Sequence, residues 1–394
     1  MGIILTFFAT LAQEKDGIFI VQKEYFYSWI VPHAVDRVPS VEGLEFPGAD
    51  FLRGFLRMPL PGGNIIALLL FLNLVSAHAL RFKLTWKKSG ILLTHLGVMI
   101  LLVGQFFTGI VQQESNVMLR EGERKNYSEL AREFEFVISD VTDPDNPKLV
   151  SIPDKVLAKK GNIESKEGTV PFPVKVLEFF YNSDQSKGDA KGVFEGADQG
   201  FAAGSMYTDK ARTRSDSERD FPVAVVEFGE SGPPGRWVFT ILYGMPEVVE
   251  VSGKKYEIEL RNRRVYLRKN EDDATFALHL VKFRHDVYPG TNKPKDFRST
   301  VELFDVGMDP DDPMPPKSAI YMNNPLRHEG FTFYQANFGE MGARPFTVLL
   351  TVENPLAWVP YIGTIIVAAG LLIQFTMSLV LHLNRKTKAA AKKS

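Results

Sequence analysis

Three long apolar runs constrain what this chain can fold into more than any other feature of its sequence. They cover residues 64–82, 90–111 and 356–383, and each is long enough to cross a hydrocarbon core about 30 Å thick as a helix. A fourth run, "MGIILTFFATLA" at residues 1–12, is shorter and lacks the positively charged start of a signal peptide. It indicates either an interfacial piece or a first transmembrane helix whose front is missing, and we favour the second. The sequence therefore predicts a membrane protein with about four transmembrane helices.

Short basic segments predict the orientation of these helices. The link between the second and third runs carries Arg81, Lys83, Lys87 and Lys88 without an acidic residue, and the tail 385–394 is also basic. Because Lys and Arg near helix ends are retained on the cytoplasmic side, both segments are expected inside. The expected order is a partial first helix (1–12), an extracytoplasmic loop (13–63), a helical hairpin (64–111), a large extracytoplasmic domain (112–353), a last helix (354–384) and the cytoplasmic tail (385–394).

The large domain has the sequence pattern of β structure. Runs of alternating or β-branched residues are separated by turns rich in Pro, Gly, Asp and Asn, with no intervening amphipathic helix. These features predict an all-β domain, a sandwich or a barrel-like fold. Residues 183–220 are polar and Gly-rich without a sustained period, which is typical of a long mobile insertion. The runs are residues 133–140, 172–181, 221–228, 236–244, 254–267, 276–283, 299–306, 330–338 and 346–353.

The sequence gives little support to an enzyme that acts alone. It has no GxSxG, P-loop, HExxH or CxxCH motif, and the absence of Cys excludes thiol chemistry on this chain. His279, His285 and His328 of the large domain lack a second ligand at metal spacing. The acidic stretch at 305–313 lacks the ligand spacing of a calcium loop, so we interpret it as a solvated turn. We predict a chain that is not catalytic on its own.

The histidines in the apolar runs are more informative. Ionisable side chains are costly in a bilayer, and they usually face a bundle interior, a cavity or a ligand. His95 lies about 9 Å inside the basic end of its helix at 1.5 Å per residue, and His78 is expected at similar depth. One interpretation of His95 is an interhelical hydrogen bond to Asn73, Thr94 or a carbonyl. The other is axial ligation of a haem iron by a neutral imidazole.

Two stretches near the end of the large domain form a recognisable series. "KPKDFRSTVELFD" (293–305) precedes "MNNPLRHEGFTFYQANFG" (322–339), and a predicted transmembrane helix follows. These stretches resemble the ResB/Ccs1 family, which handles haem in the system II pathway of cytochrome c maturation. The order of parts also agrees, including "THLG" (94–97) at the start of the third apolar run. The family pattern of Asn-x-Pro-Leu, Gly, an aromatic residue and Tyr-Gln is matched by Asn323, Pro325, Leu326, Gly330, Phe333, Tyr334 and Gln335.

The resemblance implies a role for particular residues and partners. The family's transmembrane histidine corresponds to His95, which would be an axial ligand of haem b held transiently near the cytoplasmic side. The other axial ligand would come from a CcsA/ResC-type membrane protein, and the large domain would position an apocytochrome c. Arg81, Lys83 and Lys88 are candidates for contacts to the haem propionates. His78 is a candidate second ligand, although no family motif covers it.

The family resemblance also implies a location and leaves two other functions open. The implied location is the bacterial cytoplasmic (inner) membrane, with several helices in the lipid bilayer and the large domain on the periplasmic face; nucleic acid is not an expected partner. One alternative function is an accessory subunit that holds haem b permanently in a respiratory membrane complex. The other is a membrane-anchored interaction protein without a cofactor, in which His95 only packs.

Overall fold

The chain forms two compact units in a computed structural model. One unit comprises Met1–Gln113, Arg214–Ser217 and Glu353–Ser394, and the other comprises Glu114–Thr213 and Glu218–Val352. We refer to them as the helical unit and the β unit. The described residues are 2–31, 59–81, 85–144, 146–163, 170–186, 199–214, 218–269, 275–290, 294–305, 315–341 and 344–391.

Among its described residues, the helical unit contains three helices that are long and apolar enough to cross a membrane. These spans are Gly63–Leu80, Ser89–Val111 and Val359–Thr387, and a shorter apolar helix covers Gly2–Gln13. The three apolar runs of the sequence therefore form helices as predicted. The α-helices that the structure describes are α1 (Gly2–Val21), α2 (Gly63–Ser76), α3 (Ser89–Val111), α4 (Asp154–Leu157, in the β unit) and α5 (Val359–Ala391).

Short irregular segments extend these helices. A π-helical segment, Gln22–Phe26, follows α1, a π-helical turn, Ala77–Arg81, follows α2, and a 3₁₀ turn, Trp86–Lys88, precedes α3. Two short antiparallel strands, β1 (Ile30–Val31) and β2 (Leu60–Pro61), pair before α2.

The ends of the first and last helices differ from the predicted boundaries. Helix α1 continues past residue 12, so the beginning of the predicted loop 13–63 is helical, and Gly17 interrupts it with a φ of 74°. The apolar residues "GIFIV" after the charged "EKD" allow the chain to resume a helix. Helix α5 continues past the predicted end at 384 to Ala391. The Lys and Ala residues of this tail are good helix formers.

The β unit contains eighteen of the strands that the structure describes. They are β3 (Gln113–Arg120), β4 (Arg124–Lys125), β5 (Tyr127–Asp140), β6 (Lys148–Pro153), β7 (Gly161–Ile163), β8 (Val174–Phe180), β9 (Ser183–Ser186), β10 (Met206–Asp209), β11 (Val223–Phe228), β12 (Arg236–Thr240), β13 (Glu247–Val251), β14 (Lys254–Tyr266), β15 (Phe276–Val287), β16 (Pro294–Asp305), β17 (Ser318–Tyr321), β18 (Leu326–His328), β19 (Phe331–Met341) and β20 (Arg344–Glu353).

One long sheet organises this unit. It runs β13-β14-β5-β3-β20-β19-β18, with β6 paired to β5. A four-stranded sheet, β12-β11-β8-β7, shares a core with its β13–β5 end, where Phe136, Val226 and Ile258 are buried. A second four-stranded sheet, β17-β16-β15-β4, shares a core with its other end, where Leu278 and Phe333 are buried. The β-rich domain is therefore a pair of sandwiches that share one sheet.

The nine predicted strands correspond to β5, β8, β11, β12, β14, β15, β16, β19 and β20. The prediction for residues 183–220 was wrong in part, because β9 and β10 pair as an antiparallel hairpin within it. Tyr207 of β10 is fully buried and packs with Val223, Val225 and Val238. This apolar anchor orders strands that polar composition alone does not indicate. Residues 187–198 and 215–217 of the segment lie outside the described residues.

Three polar side chains connect the two layers of the second sandwich. The hydroxyl of Ser299 on β16 donates to Oε1 of Gln335 on β19 at 2.6 Å, and Gln335 Nε2 donates to the hydroxyl of Thr347 on β20 at 2.8 Å. The hydroxyls of Ser299 and Thr347 lie 3.0 Å apart, and both residues are fully buried. The triangle lets each member both donate and accept, so the buried polar atoms are satisfied.

The Asn-x-Pro-Leu and Gly positions that matched the family pattern form turns. Asn323 has a φ of 60°, a left-handed conformation that Asn tolerates better than most residues. Glu329 and Gly330 both have positive φ and form the two-residue connection between β18 and β19. Such a connection matches the twist of a hairpin. These residues therefore shape the β unit.

We predict that Gln335→Leu lowers the free energy of unfolding by about 1–3 kcal/mol, because it leaves the buried hydroxyls of Ser299 and Thr347 without their amide partner. Thermal unfolding of the full chain in detergent, followed by circular dichroism, measures the effect. Gln185→Leu is the matched control, because Gln185 is exposed and bonds only at the surface. Equal melting temperatures for the two variants would contradict a stabilising role of the triangle.

Candidate functional site

Two histidines meet in the helical unit. Nδ1 of His95 on α3 and Nε2 of His78 in the π-helical turn lie 3.2 Å apart. Their ring centroids are 4.8 Å apart and the rings are nearly perpendicular, at 84°. The sequence predicted similar depths for the two imidazoles but did not predict contact. The structure brings them together as one hydrogen-bonded pair, which we call the histidine pair.

The change from α to π geometry at the end of α2 positions His78. The π-helical turn Ala77–Arg81 contains one more residue per turn than an α-helix would, so the side chains within it are rotated from their α-helical directions. Within this turn Nδ1 of His78 lies 2.9 Å from the carbonyl oxygen of Leu74. Such π-helical turns occur frequently at functional sites, which makes the position of His78 informative.

The hydrogen bonds determine which nitrogens carry protons. A carbonyl oxygen only accepts, so Nδ1 of His78 must donate to Leu74. A neutral His78 then presents a lone pair at Nε2, and Nδ1–H of His95 donates to it. A neutral His95 is left with its lone pair at Nε2. Among the residues that the structure describes, none forms a hydrogen bond to that atom.

The interhelical partners expected for His95 are not those observed. The hydroxyl of Thr94 donates to the carbonyl of Gly90 at 2.9 Å, within its own helix. His95 bonds across to the π-helical turn after α2 instead, and its partner is an imidazole. An interhelical hydrogen bond therefore exists, as the packing interpretation expected, while a ligand-capable nitrogen remains on the same ring.

Glycines on the face of α3 opposite to His95 pack closely against α5. Gly90, Gly97 and Gly104 are buried and recur every seven residues. A Cβ atom added at Gly97 would lie 2.7 Å from the Val367 side chain and 2.9 Å from the carbonyl oxygen of Gly363. Small residues let helix backbones approach closely in membranes. Residues 95 and 97 project about 200° apart at 3.6 residues per turn, so α5 packs on one face of α3 and His95 leaves the other.

An apolar groove runs along α3 from Leu96 to Val111. Its volume is about 710 Å³, and its lining includes Phe71 of α2, Leu96 and Met99 of α3, and Trp358 just before α5. Met99 is one helical turn from His95. The groove therefore offers apolar side chains from within one turn of His95 toward the C-terminal end of α3.

The structure describes only some of the basic residues that were predicted to contact the haem propionates. Lys88 is exposed in the 3₁₀ turn before α3, Arg81 ends the π-helical turn, and Lys83 lies outside the described residues. The side chain of Arg81 also lies outside them. The assignment of these residues to propionates stays a prediction. His382 is exposed on α5.

The histidines of the β unit have structural partners. His279 Nδ1 lies 3.0 Å from the buried Glu302 carboxylate, His285 stacks on Phe297, and the His328 ring packs edge-on against Phe276. No group of three His, Cys, Asp or Glu side chains able to hold a metal ion occurs among the described residues. Most of the acidic stretch at 305–313 lies outside them.

Comparison with known proteins agrees with the sequence motifs. Residues 243–352 match the family model described as the ResB-like family. The resemblance to the ResB/Ccs1 family is thereby confirmed. A segment of 97 residues is 32% identical to the NrfI protein of Wolinella succinogenes, and it covers 25% of this chain and 10% of that relative. The chain thus spans a small part of the length of this relative.

The ResB-like segment, residues 243–352, lies within the β unit and runs from β13 nearly to the end of β20. It includes Asn323, Gly330 and Gln335, whose turns and buried hydrogen bonds shape that unit. The histidine pair lies outside the segment. The glycine repeat could have been found from sequence by its seven-residue spacing at 90, 97 and 104 and again at 363 and 370.

Gly97→Leu is expected to destabilise the packing of α3 on α5 by about 1–3 kcal/mol, the usual cost of overpacking a close contact. The measurement is the melting temperature of the purified chain in detergent micelles. Val103→Leu serves as control, because it enlarges an exposed side chain on the same helix. If Gly97→Leu melted at the wild-type temperature, close contact at this glycine would not contribute to stability.

Proposed function

We propose that this chain is a membrane subunit of system II cytochrome c maturation. Together with a CcsA/ResC-type partner, it carries haem b across the membrane and presents it with apocytochrome c for covalent attachment. The observation that carries the proposal is the hydrogen-bonded orientation of His95, which leaves the Nε2 lone pair available inside an apolar helix. The ResB-like segment supports the pathway independently, because it lies elsewhere in the chain.

The residues around His95 suit the chemistry of haem. Haem iron is commonly bound by a neutral imidazole nitrogen, and ligating histidines usually donate their other N–H to a hydrogen-bond acceptor. His95 meets both requirements through its bond to His78. The haem ring is apolar, and the groove that begins at Leu96 and Met99, within one helical turn of His95, offers apolar surface. Lys88, exposed at the basic end of α3, suits a carboxylate.

The second axial ligand is proposed to come from the partner. Nδ1 of His78 donates to the Leu74 carbonyl and Nε2 accepts from His95, so both of its ring nitrogens are engaged. A histidine pair with one available ring nitrogen suits transient holding of haem as cargo. A resident haem b in a respiratory subunit would favour two histidine ligands from the same chain, and this consideration weighs against that alternative.

The β unit is proposed to position apocytochrome c on the outer face of the bacterial inner membrane. Its histidines are engaged with Glu302, Phe297 and Phe276, and its ResB-like motif residues form turns and core contacts. These features suit a rigid scaffold. The thiol addition itself would belong to the assembled complex, since this chain contributes no Cys and no candidate nucleophile set.

The test is the visible absorption spectrum of the purified chain, alone and co-expressed with a CcsA-type partner. We expect a Soret band that depends on the partner and is lost in His95→Ala, because the iron loses an axial ligand. His382→Ala is the matched control, since His382 is an exposed histidine of another membrane helix. It should keep the wild-type band.

Two other results would each favour an alternative. Stoichiometric haem in the chain alone, reduced equally by loss of His78 or His95, would indicate a permanent haem b subunit. No pigment in any preparation that expresses and folds normally would indicate an interaction protein without a cofactor.

A further inference from the structure

We infer that His78 is a positioning residue, which accepts a hydrogen bond from His95 and thereby directs the Nε2 lone pair of His95 to the haem iron. The inference rests on the proposed function, because it assigns a role toward the same cargo. It differs from the expectation that His78 is itself a second ligand.

The backbone fixes one end of the hydrogen-bond chain. The carbonyl of Leu74 cannot donate, so the proton of His78 is held at Nδ1. This leaves Nε2 as the acceptor that faces His95 at 3.2 Å. The backbone thus sets the tautomer of the first histidine, and the first histidine sets the tautomer of the second.

The relative orientation of the two rings favours one ligand and one positioning residue. Two axial ligands of one iron must approach from opposite faces of the macrocycle, with both lone pairs directed at the metal. In the histidine pair, Nδ1–H of His95 donates a hydrogen bond to Nε2 of His78, and the angle between the ring planes is 84°. The ligand-capable Nε2 of His95 is the ring nitrogen not bonded to His78. The arrangement suits orientation of one ligand by the other residue.

The hydrogen bond between His95 and His78 also affects the electron density at the free nitrogen of His95. A hydrogen bond from the Nδ1–H of a ligating histidine raises the basicity of the ligating nitrogen and holds the ring in position. A more basic ligand stabilises ferric over ferrous iron, so the bond would lower the reduction potential of a haem held at His95. The neutral imidazole of His78 is a weaker acceptor than a carboxylate, which suits a cargo that must be released.

Two substitutions separate these roles. His78→Leu removes the acceptor, whereas His78→Gln retains an amide oxygen that can accept from His95. In the full chain in lipid nanodiscs, without haem, ¹⁵N NMR of labelled histidines reports the tautomer of His95. We expect Nδ1–H in the wild type and in His78→Gln, and loss of this fixed tautomer in His78→Leu. His382→Leu, which removes a distant exposed histidine, should leave the signal unchanged.

The complex with a CcsA-type partner gives the second measurement. We expect His78→Leu to weaken haem binding by about 10- to 100-fold, the usual range for removing the hydrogen-bond partner of a metal ligand. Its remaining haem should have a raised reduction potential, while His78→Gln restores both quantities toward wild type. A variant that only weakened the fold would not raise the potential selectively.

Three results would overturn the inference. These are an unchanged His95 tautomer in His78→Leu, loss of pigment as complete as in His95→Ala, and an open iron coordination position in His78→Leu that added imidazole fills. The last result would make His78 a ligand. A wild-type complex without pigment would instead overturn the proposed function, and the ¹⁵N measurement would still decide whether His78 sets the tautomer of His95.

Discussion

The hydrogen bond between His78 and His95 is the interaction on which the functional interpretation of this molecule depends. A polar ring within a membrane helix needs a partner inside the protein, because lipid offers none. The chain meets this requirement with a second ring and a backbone carbonyl, in the order Leu74, His78, His95. With two neutral imidazoles, this arrangement leaves one ring nitrogen, Nε2 of His95, for another purpose. A structural necessity and a ligand-capable atom thus result from the same contact.

The two faces of α3 have different physical demands. Gly97 allows α5 to approach closely, and a rigid contact there fixes the position and rotation of α3. His95 projects from the other side, toward the π-helical turn after α2. Because helix rotation is set by packing, the direction of His95 depends on the glycines behind it. The position of the His95 ring therefore depends on small residues on the opposite face of α3 as well as on the histidine itself.

Much of the fold follows from local pattern, and the site follows only in part. The apolar runs predicted the three spans because length against bilayer thickness decides them, and alternation predicted strands such as β14 and β16. Contact between His78 and His95 could not be predicted, because it depends on a π-helical turn that no residue pattern of "AHALR" specifies. The triangle at Gln335 was also inaccessible, since its partners are 36 and 12 residues away in sequence.

The residues that identify the family and the residues that carry the proposed chemistry lie in different parts of the chain. The ResB-like segment ends at 352 and contains Gln335 and Gly330, whose roles are a buried hydrogen bond and a hairpin turn. A sequence match of this kind reports the requirements of a β scaffold. His95 is supported by a separate line of reasoning, from the cost of a polar group in lipid and from the protons on two imidazoles. The two lines concern different residues, and the assignment of haem to His95 joins them only within the proposed function.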